Sequence, residues 1–364
     1  MTSLCFLIAV SFCATQALAQ TTRTRNVVLI VSDGLRWQEV FRGADPALID
    51  GKAGGVDDTL TTQTQWQRAN PTEARRALMP FFWNTIAIHG QLYGDRDAGG
   101  AAQVTNGFKF SYPGYNEMLS GHPDPRINSN DAGPNPNLTV FEWLASLPAY
   151  SGRVAAFGTW NEFDDIFNER RSGIPVFAGW ELPFAHAATP REALLDSLYA
   201  TTTQLWPDLA YDAFMQETVL DYLPDHHPRA MFIGYGETDE YAHMRRYDEY
   251  LASAHRFDQF VAQLWNTMQA MPQYHDSTTF IITADHGRGD GAKWTDHGRD
   301  VNGAENIWIA VIGPDTKPLG DDSTADPVTQ SQIAATLAAL LGQDYRKAVP
   351  AAAAPVPAML RDQP

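Results

Sequence analysis

The chain has 364 residues, more than one small core requires, and its 43 acidic against 26 basic side chains leave a formal net charge of −17. So acidic a surface repels polyanions, which excludes nucleic acid polymers as bulk partners and calls for bound cations wherever the substrate is an anion. Both cysteines, Cys5 and Cys13, lie near the N-terminus, so neither disulfides nor cysteine-rich metal sites are expected in the body of the chain.

An apolar run from Leu4 to Phe12, followed by Ala17-Leu18-Ala19 before Gln20, predicts a secretory signal peptide over residues 1–19, although a positive n-region is lacking. The protein is then exported, to the periplasm or the medium. No later stretch is apolar for the length that a membrane-crossing helix needs. Residues 20–346 read as one catalytic domain, and 347–364 as an Ala/Pro-rich tail. Oligomeric state has no signature in the sequence.

Val27 to Val31 form a continuous apolar run, as a central parallel strand does, and Asp33-Gly34 close it. An acid in that place is a helix cap, a turn residue or a ligand. Residues 43–106 change character, with glycines and scattered aromatics, and read as an insertion with a helix over Ala74 to His89. In GFKFSYPGYNEMLSG, Ser111 stands two residues before Pro113. Proline suits the first turn of a helix, so Ser111 falls at or near the N-cap, where an anionic oxygen is stabilised. A loop from His122 to Pro136, a helix over Leu138 to Leu147 and a short strand over Arg153 to Gly158 follow. A second insertion is read at 161–186. It and the first are expected to wall the leaving-group pocket, with Trp160, Phe163, Trp180 and Phe184.

Met231 to Ile233 form another strand, after which Asp239 and His243 stand at i and i+4. That spacing puts a carboxylate and an imidazole on one face of a helical turn, within reach of one ion. A long helix over Arg246 to Met271 carries apolar positions that read as core. The run TTFIITADHG is the clearest strand of all: Phe280 to Thr283 is buried, Gly287 turns the chain, and Asp285 and His286 sit at the carboxyl end. A Gly-rich loop with His297, a strand in NIWIAVIGP and a helix over Gln330 to Leu341 complete the pattern.

Three strand-end acids and three histidines on separate segments are too many to be independent caps. Six ligands of mixed oxygen and nitrogen type, with one serine, suit two borderline divalent ions, zinc first among them. Two such ions about 4 Å apart bind both the attacking and the leaving oxygen of an in-line displacement at phosphorus. The expected architecture is α/β: a three-layer α/β/α sandwich with a mostly parallel sheet and the ligands at its carboxyl edge.

These segments resemble the alkaline phosphatase superfamily, in particular its nucleotide pyrophosphatase/phosphodiesterase-like branch, from about Asn26 to Leu341. VVLIVSDGLRW is similar to the family's opening strand, FSYPGYNEMLSG to its nucleophile segment, GETDEYAH and TDHGRD to its first metal site, and TADHG to its second. The resemblance implies one ion held by Asp239, His243 and His297 and another held by Asp33, Asp285 and His286, with Ser111 as a further ligand and the nucleophile. It implies a small-molecule phosphate ester as substrate, a phosphoserine intermediate, and an asparagine on phosphate at Asn130 in preference to Asn128. Gly114-Tyr115 stands where phosphodiesterases of this branch often carry Asn-His, and Tyr115 takes the place of the sulfatase signature's arginine. A phosphomutase, a phosphonate or sulfate ester hydrolase of the same superfamily, and a non-catalytic metal-binding relative are the alternatives.

Overall fold

The apolar β-branched runs of the sequence become the middle of one sheet. The computed structural model describes residues 22–184, 186–321 and 327–360, and the predicted signal segment lies outside them. Its strands, in chain order, are β1 (Asn26–Ser32), β2 (Gln91–Tyr93), β3 (Ala102–Gln103), β4 (Val154–Gly158), β5 (Val176–Ala178), β6 (Ala230–Tyr235), β7 (Thr278–Thr283), β8 (Asn306–Ile307), β9 (Ile309–Ile312), β10 (Gly320–Asp321) and β11 (Val328–Thr329). Eight of them form a sheet in the order β10-β2-β9-β7-β1-β6-β4-β5, and β11-β3-β8 form a small second one. From β7 to β5 the main sheet is parallel, while β9 runs antiparallel to β7 and β2. Every residue of β1, β6 and β7 is buried. Burial of alternate side chains on both faces requires helices on both faces, so the architecture is the expected α/β sandwich.

Register explains the site. Val31 is level with Thr283 on one side and with Gly234 on the other. Two residues on, Asp33 therefore comes level with Asp285, and β6 gives way there to the helix Glu237–His243 that carries Asp239. Neighbouring strands lie about 4.8 Å apart, so side chains leaving these three carboxyl ends converge without any long-range bend.

Two predicted elements differ from what is observed. The helix expected over Ala74 to His89 is broken into Pro71–Leu78, a wide turn Phe82–Ile86 and a short turn Ala87–His89. Pro80 has no N–H to continue the ladder, and Asp258 of the long helix Tyr247–Ala270 accepts the freed Phe81 and Phe82 N–H groups at 2.8 and 2.9 Å. NIWIAVIGP is split at Trp308, whose indole donates to Leu35 O at 2.8 Å. The segment after Tyr345 packs on the domain: Ala352, Val356 and Met359 are buried, and Ala353 N–H donates to Gly121 O at 2.9 Å. Among the described residues no helix is long and apolar enough to cross a membrane.

Candidate metal centre and nucleophile

The deeper group of candidate ligands comes from the ends of β1 and β7. Asp285 and His286 are fully buried and Asp33 nearly so. His286 Nε2 lies 3.3 Å from Asp33 Oδ1 and 3.5 Å from Asp285 Oδ2, and the ligand atoms of all three fall within 4.8 Å of one another. His286 Nδ1 faces Gly287 O at 2.9 Å. A carbonyl only accepts, so Nδ1 carries a proton, and Nε2, the nitrogen that faces the acids, is the one that would bind an ion once its own proton is displaced. Asp285 is held in place by the Gly34 N–H, which donates to Oδ1 at 3.0 Å.

The outer group is Asp239, His243 and His297. His243 Nε2 lies 3.0 Å from Asp239 Oδ2 and 3.0 Å from His297 Nε2, and His297 Nε2 is 3.8 Å from Asp239 Oδ1. The i, i+4 spacing thus does put Asp239 and His243 side by side. The two groups adjoin: His286 Nε2 is 3.7 Å from Asp239 Oδ1, and the His286 and His297 rings stack at 4.1 Å. Asp239 with His286 and His297 makes a second trio of mutually close ligand atoms.

Charge and burial bear on whether these residues fit metal ions. Asp33 Oδ1, Asp285 Oδ2 and His297 Nδ1 are buried without a hydrogen-bond partner, which is costly unless a cation meets the acids. Burial, with Asp33 and Asp239 beside it, pushes the Asp285 carboxyl well above the usual range. Burial lowers His286, but Asp285, Asp33 and Asp239 outweigh it and raise the imidazole to about 9. His297 is pushed down to about 2 by burial and by His286, so it stays neutral with one ring nitrogen able to act as a ligand. Crowded acids, a protonated His286 and a neutral imidazole form a donor set that fits divalent metal ions.

Ser111 opens the helix Ser111–Ser120, whose ten residues are all buried. It is the first helical residue rather than the cap, and its Oγ stands 3.4 Å from His286 Nε2. Phe110, at the cap, has no side chain to satisfy the first turn. Asn130 does so instead, accepting the Tyr112 N–H on Oδ1 at 3.1 Å. Gly114 brings the helix against the end of β7: a Cβ there would lie 2.4 Å from Asp285 O.

A family model described as the metalloenzyme superfamily matches residues 174–345. In three dimensions the chain resembles alkaline phosphatase PafA (10% identity, 93% of this chain and 99% of that one, TM-score 0.58). It also resembles a protein in the alkaline phosphatase superfamily from Vibrio parahaemolyticus (14% identity, 95% and 71%, TM-score 0.54). A third likeness is to a phosphonate monoester hydrolase from Silicibacter pomeroyi (13% identity, 94% and 78%, TM-score 0.56). The fold is that of the alkaline phosphatase superfamily. No curated protein matches the chain significantly in sequence.

On this alkaline phosphatase fold a cavity of about 400 Å³ opens over Ser111, lined by Asp33, Asn130, Asp239, His243 and His297 among others. Asn130 lines it and Asn128 does not. Of the four aromatics expected to wall it, Trp160 does. Phe163 is instead core, edge-on to Tyr115 at 4.9 Å, and Trp180 packs among Tyr199, Tyr211 and Phe214. Phe184 is not in the lining, and the 43–106 insertion contributes nothing to it, whereas Asn161, Glu162, Asp208 and Leu209 do.

The supporting roles of four residues have no signature in the sequence. Tyr115 donates its hydroxyl to Asp33 Oδ2 at 3.0 Å. Glu117, on the far side of the nucleophile helix, accepts from Thr105, Asn106 and Ser331 and anchors the helix to two loops. Arg288 is buried with its guanidinium on Asp239 Oδ1 and on Thr295 O. Gly34 has φ +60, and a Cβ on it would lie 2.7 Å from Asp239 Oδ1 and 2.8 Å from Arg288 Nε. Glu237 turns away from the cavity and pairs with Arg256 at 2.7 Å. Tyr115 and Glu117 lie in the FSYPGYNEMLSG segment, Gly34 follows Asp33 and Arg288 stands two residues past His286, but none of these places signals the contact that the residue makes in the fold.

Proposed function

We propose that the chain is an exported, metal-dependent hydrolase of phosphoric esters in the alkaline phosphatase superfamily, nearest its phosphodiesterase-like branch, working through a phosphoserine at Ser111. The observation that carries this reading is the position of Ser111 Oγ, 3.4 Å from the imidazole that adjoins both ligand groups, on the floor of an open cavity.

Asp33, Asp285 and His286 would hold one ion and Asp239, His243 and His297 the other. Two divalent ions there, zinc by the nitrogen and oxygen donor set, supply Lewis acidity that lowers the pKa of the serine hydroxyl and stabilises the departing oxygen. Ser111 forms a bond to phosphorus, the ester oxygen leaves, and water later cleaves the phosphoserine and restores the hydroxyl. The first turn of the helix aims its dipole at the phosphoryl oxygens. Since Asn130 spends Oδ1 on Tyr112 N–H, its amide NH₂ is the group left to donate to one of them. Tyr115, burying its ring and bonding Asp33, keeps that carboxylate aimed inward.

Sulfate ester hydrolysis is disfavoured, since Ser111 is followed by a pattern with Tyr115, not arginine. The test is turnover of p-nitrophenyl phosphate, bis-p-nitrophenyl phosphate, p-nitrophenyl phenylphosphonate and p-nitrophenyl sulfate by zinc-loaded protein, with and without a chelator. Chelator-sensitive release from the first or second supports the reading, and the faster of the two assigns monoester or diester preference. Release from the phosphonate or the sulfate alone, or none with two ions bound, would replace it.

A further inference from the structure

The 43–106 insertion lines no part of the cavity over Ser111, yet it packs behind the outer ligand group. Ala53 O accepts the Trp294 indole N–H at 3.1 Å, and Gly54 O accepts the Tyr247 N–H at 2.9 Å. Trp294 stands three residues before His297, and Tyr247 opens the long helix four residues after His243. The approach is close: a Cβ on Gly55 would lie 1.8 Å from Arg245 O, in the turn between His243 and Tyr247.

A buried polar network joins these contacts. The Trp294 ring stands edge-on to Tyr247 and Tyr250, at 5.1 and 5.6 Å. The Tyr247 hydroxyl donates to Glu39 Oε1 at 2.8 Å and accepts the Asp45 N–H at 2.7 Å, while the Tyr250 hydroxyl accepts the Arg36 N–H at 2.9 Å. Arg36 pairs with Glu39 and donates from Nη1 to Gly289 O at 3.3 Å. Gly289 N–H in turn donates to Asp296 O at 2.9 Å, which closes the loop one residue short of His297. Arg36, Glu39, Tyr247, Tyr250 and Trp294 are all buried.

A buried ion pair is a poor source of stability, since apolar side chains of similar volume often pack as well or better. What a satisfied network adds is a single arrangement of its members. Here those members carry the turn behind His243 and the loop behind His297, the two imidazoles that no strand places. We infer that Tyr247 and Trp294 are positioning residues for the outer ligand group: they hold His243 and His297 side by side from behind, with residues 43–56 of the insertion as their seat. This rests on the metal-dependent reading above.

The experiment titrates zinc calorimetrically into metal-free wild type, Tyr247→Phe, Trp294→Phe and a control, Tyr274→Phe, which loses a buried hydroxyl's bond to Pro228 O at 3.0 Å just before β7. We expect one of two binding events to weaken by about 10-fold or more in Tyr247→Phe and Trp294→Phe, the other to stay unchanged, and neither to move in the control. Turnover of p-nitrophenyl phosphate by the first two variants should return as zinc is raised, because the weakened position then refills. Wild-type affinity for both ions in both variants, or equal weakening of the two ions, overturns the proposal whatever happens to Tm. A second readout needs no variant: in metal-free wild type the amides of Tyr247 and Gly289 should exchange with solvent at one common slow rate, as parts of one cooperative unit. Independent exchange of the two overturns it equally. If the variants bind zinc as wild type does while p-nitrophenyl phosphate is hydrolysed, the hydrolase reading stands and this proposal fails. If both ions bind and no ester is hydrolysed, the hydrolase reading fails, and the zinc affinities alone decide this proposal. If wild type binds no zinc, both fail.

Discussion

The two candidate ligand groups use the same residue types and are held in opposite ways. Asp33, Asp285 and His286 leave the ends of two paired strands, with Asp285 and His286 wholly buried. Asp239 and His243 ride on a seven-residue helix, His297 on a loop, and the His243 side chain is 45% exposed. Strand ends inherit their positions from a hydrogen-bonded ladder, so the deeper group is preorganised before any ion arrives. A short helix and a loop depend on contacts made after the sheet has formed, and their ligands are the ones that solvent and substrate reach. In the mechanism proposed above, the deeper group would fix the nucleophile and the outer one would serve the group that departs.

The largest effect should come where both groups meet. Ser111→Ala removes the hydroxyl that faces His286, and kcat should fall by about 10⁴-fold or more with metal content by mass spectrometry nearly unchanged. Retained turnover would remove Ser111 from the chemistry, and lost metal would make it a structural ligand instead.

Next, His286→Ala should empty both positions, because this imidazole lies against Asp33, Asp285 and Asp239 alike. His243→Ala should weaken one ion by about 10- to 100-fold and leave the other bound, by analogy with the loss of supporting groups at metal sites. Equal loss in the two variants would show that the groups do not differ in preorganisation.

Gly34→Ala tests the join between them. Its φ of +60 and the 2.7 Å approach to Asp239 predict a loss of about 2 to 4 kcal/mol in chemical denaturation, from backbone strain and overpacking together.

The last test is a pH dependence. The folded pKa of His286, about 9, lies above its ordinary 6.5, so the stabilisation it brings is complete below pH 6.5 and lost as pH rises through 9. The raised Asp285 carboxyl acts in the same direction from lower pH. Metal-free protein should therefore lose up to roughly 3 kcal/mol between pH 6.5 and 9, read as a falling Tm. Zinc should bind more tightly across that same window, because binding must displace the His286 proton. A flat Tm profile without metal would mean that the acids are screened by solvent.

How far the site could be read along the chain follows from how local each signal is. Strand runs that stop at an acid, and the i, i+4 pair at Asp239 and His243, are written in a few adjacent residues, and burial plus backbone geometry leave them one arrangement. The helix expected at Ala74 to His89 is broken for an equally local reason, Pro80. The supports were another matter: Tyr115 reaches Asp33 across 82 positions and Arg288 reaches Asp239 across 49. Neither bond has a periodicity or spacing to betray it.

The aromatics divide along the same line. Trp160, Phe163, Trp180 and Phe184 look alike as hydrophobic residues near an insertion, and hydrophobicity alone sends each to whatever apolar surface is nearest. Residue order along the chain was enough for an α/β sheet with acids and imidazoles at its carboxyl edge, since apolar runs and turn residues act over single elements. Which acids share a cavity, and that Arg288 lies under Asp239, depend on strand order and loop return. Those are set by packing the whole chain into one core, where contacts between distant segments outweigh any local preference.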